Sequence, residues 1–323
     1  MAFGACTEAD CTVAETDVCL RNNDPAKCPN RANAGTVEEA LEPPLEAPVE
    51  NPRFQHSLTL DPEAAASIMR SRYAHLVGIL GMPKSGKTAA LVSTYLLLGR
   101  DQLKGFSFLD SMSLRALDEI SHGARVWQVG ESFGQMTVHT ELSDERTPGF
   151  MHLRLERHSD ERRFDMLLSD LPGEWSTALI DKERSDRLEF LRAADVIWIM
   201  VDGEELRAKR HHTEHRIKIM LQRLAKIVTH KPPIKIVISR RDHGAPLQSS
   251  VDALLAEAAR HGFEATVAPI ASFQDGDDAT PGTGIAELIA SVVEEEAAQP
   301  EFWPTTAPSG ARAMLNYRGA TGQ

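Results

Sequence analysis

Residues 81–88 read Gly-Met-Pro-Lys-Ser-Gly-Lys-Thr, a complete G-x-x-x-x-G-K-[ST] pattern, and this stretch constrains the fold more than any other. The pattern works only between a strand and a helix, where loop amides and the helix N-terminus converge on phosphate oxygens. Both flanks are present. Ala74 to Leu80 is a short apolar run followed by glycine, and Ser85 to Leu98 reads as a helix. In that setting Gly81, Lys84, Ser85, Gly86, Lys87, Thr88 and Ala89 surround the phosphates. Lys87 reaches the β and γ phosphates, and the Thr88 hydroxyl ligates Mg²⁺.

Such a unit needs more strands beside it, and the chain supplies them. Apolar strand patterns recur at Phe164–Leu168, Asp195–Val201, Ile234–Ile238 and Phe263–Ile270. Helical patterns lie at about Asp186–Arg192, Glu204–Val228, Val251–Arg260 and Ile285–Glu296, and Asp61-Pro62 opens a short helix through about Arg70. Strands alternating with helices predict a parallel sheet covered on both faces. Phe150–Arg157 differs in kind. There Met151, Leu153 and Leu155 alternate with His152, Arg154 and Glu156, the period of a half-exposed strand. About six residues separate it from the next apolar run, too few for a parallel crossover, so this pair is predicted antiparallel.

The first 60 residues have another character. Residues 1–65 hold 12 acids against 4 bases, so most of the net charge of −12 sits there. The remainder is close to balanced, a charge distribution that disfavours general nucleic-acid binding, which needs clustered Lys and Arg. All four cysteines fall in the first 28 residues as Cys6-x4-Cys11-x7-Cys19-x8-Cys28, with no His before His56. The sequence has no secretion signal and no apolar run near the roughly 20 residues of a membrane span, so a cytoplasmic location without membrane contact is expected. In a reducing compartment the cysteines suit an all-thiolate Zn²⁺ site, with free thiols or redox pairing as the alternatives. The expected organisation is a Cys-rich, zinc-binding segment at 1–30, a Pro- and acid-rich linker at 31–60, a nucleotide-binding domain at 61–297 and a tail at 298–323.

Two further motifs follow strands. Asp170-Leu171-Pro172-Gly173-Glu174 comes after Phe164–Leu168; Asp170 is placed to hold Mg²⁺ through water, and the Gly173 amide to bond a γ-phosphate. Ser239-Arg240-Arg241-Asp242 comes after Ile234–Ile238 and matches the [NT]-K-x-D element in kind. A carboxylate at Asp242 pairs with guanine N1–H and N2 amino donors, which adenine lacks there. Ser239 is shorter than the usual Asn, and Arg240 replaces a Lys whose stem covers the base, a task Arg can also perform. Ala271-Ser272-Phe273, after the next strand, takes the place of the loop whose amides reach guanine O6.

The order of P-loop, antiparallel strand, D-x-x-G, S-R-x-D and A-S-F resembles the translation-factor (TRAFAC) class of P-loop GTPases. The Gly86-Lys87-Thr88 helix running to Tyr95, the Phe108–Leu117 segment, Arg146-Thr147-Pro148, Asp170–Glu174 and the leader ending Cys28-Pro29-Asn30 are most similar to the TRAFAC-associated double-GTPase proteins of bacterial conflict systems. The resemblance implies an α/β fold: a GTPase-like three-layer sandwich, mostly parallel with one antiparallel strand, preceded by the small Cys-rich segment. It also implies a GTP/GDP-binding, Mg²⁺-dependent switch that works with a protein partner, such as a second GTPase or an activator, in a defence or signalling assembly.

A first switch must lie between Arg100 and Gly149, with Thr147 its best metal-binding threonine and Thr137 and Thr140 the runners-up. Lys87, Glu174 and Arg146 are the catalytic candidates. Glu174 follows Gly173 where a Gln often orients water; as a carboxylate it only accepts, so slow unaided turnover is expected, with Arg146 or a partner's arginine compensating. Two other readings stay open: a GTP-binding scaffold that does not hydrolyse, and an ATPase or kinase of another P-loop class, against which Asp242 argues. His211, His212 and His215 are expected on a solvated helix face. Trp127, Trp175, Trp198 and Trp303 are expected as anchors in the core or tail.

Overall fold

The computed structural model describes residues 59–122, 147–274 and 278–294, together with part of 8–30. The chain divides into two compact units, Met1–Phe54 and Gln55–Gln323. In the first, a single turn α1 (Val13–Thr16) buries Val13, Cys19 is buried, and Arg21 pairs with Glu8 at 3.1 Å.

The second unit opens with α2 (Pro62–Ser71). Asp61 caps it by accepting from the Ala64 N–H at 2.8 Å, and Pro62 occupies the first turn, where its missing N–H costs nothing. β1 (Ala74–Gly81) and α3 (Lys87–Gly99) follow, then β2 (Phe106–Asp110) and α4 (Leu114–Ile120). The hairpin β3 (Gly149–Arg157) and β4 (Arg162–Asp170) leads into α5 (Gly173–Lys182) and a 3-10 helix at Asp186–Ala193. Next come β5 (Val196–Asp202), α6 (Gly203–Ala208), α7 (Arg210–Ile227) and β6 (Ile234–Ser239). A short 3-10 turn (Arg241–His243), α8 (Gln248–Arg260), β7 (Ala265–Pro269) and α9 (Ile285–Glu294) complete it.

The seven strands form one sheet in the order β2-β3-β4-β1-β5-β6-β7. β4, β1, β5, β6 and β7 are mutually parallel, while β3 is antiparallel to β4 and β2 to β3. The three-layer sandwich is therefore as expected, with one edge strand more. One face packs Leu76, Leu80, Leu167 and Ile199 against α2, α5, α7 and α8; the other packs Val77, Ile79, Met166 and Trp198 against α3, α4 and α9.

Three local expectations need correction. The helix expected over 204–228 is two helices: Asp202 caps the first through the Glu204 and Glu205 amides, and the backbone leaves helical geometry at Lys209 (φ −128°, ψ 47°) before the second begins. β2 and α4 have no counterpart among the expected elements. The polar alternation of β3 faces water only in part: His152 is wholly buried, whereas Arg154 and Glu156 are half-buried.

On the covered face of β3, Leu60 pairs with Phe150, α2 packs alongside, and the β2–α4 turn closes over His152. The Met112 N–H donates to His152 Nδ1 at 3.0 Å, which leaves the ring proton on Nε2, facing Asp165 Oδ1 at 2.8 Å. Arg72 at 2.9 Å and Arg154 at 3.8 Å share that carboxylate. Burial pushes the His152 pKa down against the pull of Asp165, so the ring is neutral and the two arginines balance the acid.

Candidate functional site

The parallel strands all end at one edge of the sheet, where α/β folds place their ligands. Gly81 ends β1, Asp170 ends β4, Asp202 ends β5 and Ser239 ends β6, with Gly81 paired to Met200 and Asp202 to Ser239. The P-loop, D-x-x-G and S-R-x-D residues are thus brought together by register alone.

The phosphate side is tightly packed. Gly86 caps α3 in a left-handed conformation (φ 95°), and a Cβ there would crowd Ser239 Cβ at 3.0 Å, so the small Ser239 sits directly against the loop. Lys84 is also left-handed (φ 65°) and exposed, as is Pro83. The buried Lys87 ammonium donates to the carbonyls of Gly81 and Met82, each at 3.0 Å. Burial pulls its pKa down to about 8, opposed by the charges of Asp170 and Glu174, which places both carboxylates within electrostatic reach of Nζ. Ser85 and Asp170 are buried, Thr88 and Ala89 half-buried, and Glu174 exposed. Gly173 is pressed onto the loop: a Cβ there would lie 2.4 Å from Pro83 N. A Thr hydroxyl and a buried carboxylate flanking the lysine are hard oxygen donors of the kind Mg²⁺ takes. Thr147 lies two residues before Gly149, which pairs with Asp170. Arg146, Thr137 and Thr140 lie outside the described residues.

The base side is built from side chains. Asp242 is buried in the turn after β6, and the Asp278 N–H donates to its carbonyl at 3.0 Å. The Arg241 N–H donates to Ile270 O at 2.9 Å, joining this turn to the end of β7. Arg240 is left-handed (φ 56°), and its guanidinium turns to Glu204 and to Asp202 Oδ2 (3.4 Å), so its stem is what remains to cover a base. Of Ala271-Ser272-Phe273, the Ala271 amide is engaged with Thr283 O at 3.0 Å. Ser272 keeps a buried hydroxyl with no hydrogen-bond partner among the described residues. That orphan oxygen, invisible as a motif, lies in the loop assigned to guanine O6.

The cysteines are not gathered in the same way. Among the described residues no group of three or more His, Cys, Asp or Glu side chains is placed to hold a metal, although Cys11, Cys19 and Cys28 are among them. The loose x4, x7 and x8 spacings impose no knuckle that would converge them, and Cys6 lies outside the described residues. The zinc reading is therefore unsupported. His211, His212 and His215 are exposed on α7, as expected; Trp175 and Trp198 are buried, with Arg187 5.1 Å over the Trp175 ring, and Trp127 and Trp303 lie outside the described residues. Among the described residues no helix is long and apolar enough to cross a membrane.

Sheet order, P-loop, D-x-x-G turn and base-side Asp define a GTP-binding P-loop protein of the GTPase type. Over residues 75–293 the chain matches the family model described as Double-GTPase 2, and it belongs to that family. No curated protein matches it. Among solved structures it is similar to the signal recognition particle receptor SRb-GTP/SRX complex from Chaetomium thermophilum, at 16% identity and TM-score 0.41, covering 68% of this chain and 99% of that one. The mammalian SRP receptor matches at 13% identity and TM-score 0.40, over 68% of this chain and 100% of that chain. A GTP-binding protein from Sulfolobus solfataricus in complex with GDP matches at 12% identity and TM-score 0.33, over 65% and 50%.

Proposed function

We propose that the chain is a Mg²⁺-dependent GTP-hydrolysing switch that acts with a protein partner. The observation that carries this reading is the convergence of a buried Asp242 and an orphan Ser272 hydroxyl with a complete P-loop at the same strand ends. An acid there accepts from the N1–H and N2 donors of guanine, which adenine lacks, and a hydroxyl can donate to O6. Thr88 and Asp170 would hold Mg²⁺, with Thr147 closing from β3; the metal would neutralise charge on the transferring phosphoryl group. Lys87 Nζ, with two of its three donors on the Gly81 and Met82 carbonyls, would turn the third to a phosphate oxygen. Glu174 would orient water as an acceptor, and because it adds negative charge, the reading includes slow unaided turnover and an arginine from Arg146 or from a partner. The partner reading rests on that missing cation and on the family's name; a second GTPase in a bacterial defence or signalling assembly is its most specific form.

A second reading, a GTP-binding scaffold without useful hydrolysis, draws on one observation. Pro83 contributes no N–H to the phosphate cradle and is packed against Gly173, the residue that would have to move with the γ-phosphate. Purified protein with Mg²⁺-GTP separates the two. The switch reading expects phosphate release that Lys87→Ala abolishes; binding of GTP with no release in parent protein, alone and with partner, favours the scaffold.

A further inference from the structure

We infer that Arg216, on α7 and outside every sequence motif, is a positioning residue of the phosphate loop that links α5 to Met82 and through Met82 to Lys87. The inference rests on the GTPase reading above. The Arg216 side chain is about four-fifths buried. Its Nη1 donates to Asp181 Oδ1 on α5 at 3.1 Å, and its Nη2 reaches Asp181 Oδ2 at 3.5 Å and Met82 Sδ at 3.7 Å. Met82 is the second residue of the loop, and its carbonyl accepts from Lys87 Nζ at 3.0 Å and from the Ser85 N–H at 3.2 Å. One planar cation therefore spans an acid on the helix after Gly173 and the residue that seats the phosphate lysine.

Two other contacts hold the same helix to the same loop. The Gly81 N–H donates to Ser176 Oγ at 3.0 Å, both groups buried, and Gly173 lies against Pro83. These fix the first and third loop residues. Arg216 holds the second, whose flexible thioether side chain also packs against the core. A guanidinium holds both partners because its fork offers donors in two directions at once; a lysine ammonium at the end of a flexible stem is a point charge without that geometry. Misplacing Met82 shifts a carbonyl that seats Nζ, and small displacements of this kind are costly to catalysis even when the altered residue never touches the substrate.

The test compares parent, Lys87→Ala, Arg216→Ala, Arg216→Lys, Met82→Ala and the Arg216→Ala/Met82→Ala double variant. It measures Mg²⁺-GTP turnover, the dissociation rate of a fluorescent GDP and the melting temperature. Arg216→Ala is expected to lower kcat about tenfold, or to speed GDP release by a similar factor, with KM within about twofold of parent. Arg216→Lys should melt near the parent temperature and still show most of that loss, which a purely structural role would not produce. The double variant should be no worse than the worse single, because both remove one link. Parent-like kcat and GDP release in Arg216→Ala, full rescue by lysine, or multiplied effects in the double variant overturn the inference alone. Parent protein that neither binds nor hydrolyses GTP overturns the GTPase reading, and this inference with it.

Discussion

The phosphate half of the site lies at the ends of β4 and β1 and the base half at the ends of β6 and β7, with β5 between them, and the two halves are held differently. Around the phosphates, position is set by backbone: Gly173 touches Pro83, Gly86 touches Ser239, and Lys87 is held by two carbonyls with its charge partly suppressed by burial. Around the base, position is set by side chains, among them an exposed arginine paired with two acids and a buried hydroxyl that lacks a partner. Backbone packing tolerates almost no substitution, whereas ion pairs at a surface are weak and salt-sensitive. On the proposed function, the difference implies that the first half decides whether nucleotide chemistry occurs at all and the second half which nucleotide is chosen.

Substitutions on the phosphate side should have the largest effects. Lys87→Ala removes a charge-assisted contact worth about 1.5–3 kcal/mol in binding and should abolish turnover in a phosphate-release assay. Gly173→Ala should do the same with GTP still bound, since its Cβ would collide with backbone that cannot yield. Wild-type turnover in Gly173→Ala would break the comparison. On the base side, Asp242→Asn should erode the preference for GTP over ATP about tenfold while leaving phosphate-side behaviour intact, as read by nucleotide displacement.

Protonation gives a smaller effect with a definite sign. Burial holds Lys87 down at about pKa 8, so the empty site loses this proton as pH rises through 8, while a bound phosphate would retain it. Nucleotide affinity should therefore be full below about pH 7.5 and fall about fivefold by pH 8.7, with proton uptake on binding seen by calorimetry in buffers of different ionisation enthalpy. The empty protein should gain stability over the same rise, because the unfolded lysine keeps its proton to about pH 10.5. The smallest effect belongs to Glu204→Gln, which frees Arg240: a two- to threefold change in GTP affinity is expected at low salt, vanishing at about 0.5 M salt as surface pairs are screened.

Much of the phosphate half was legible in the sequence because its determinants are contiguous. A strand, a glycine-spaced loop and a helix in one unbroken stretch from Ala74 to Gly99 leave few alternatives, and each later motif follows an apolar run of strand length. The base half was legible only in part. Asp242 follows from spacing, but the direction of the Arg240 side chain depends on acids at the end of a different strand, and the engagement of the Ala271 amide depends on Thr283. β2 and α4 escaped because their apolar residues do not mark one buried face: Phe108, Leu109 and Leu114 are exposed. The β3 alternation misled for a tertiary reason: α2 and the β2–α4 turn cover the face that the polar residues present, converting His152 and Arg154 from solvent-facing groups into partners of Asp165. Ser176 and Arg216 carry no motif, and only their geometry marks them.

The central place of β1 also governs the order in which a growing chain can assemble. This strand is complete at residue 81, but its two hydrogen-bonding neighbours, residues 165–168 of β4 and 196–200 of β5, are made about 90 and 120 residues later. Until then an apolar strand and a glycine-rich loop have no partners, and the closure of such long loops makes this step slow. A ribosome-stalled chain ending near residue 150 should accordingly be protease-sensitive and blind to nucleotide, whereas one extended beyond residue 294 should acquire both protection and GTP-dependent stabilisation together. Nucleotide present during synthesis would then act as a folding ligand, selecting the sheet once its last strand has joined.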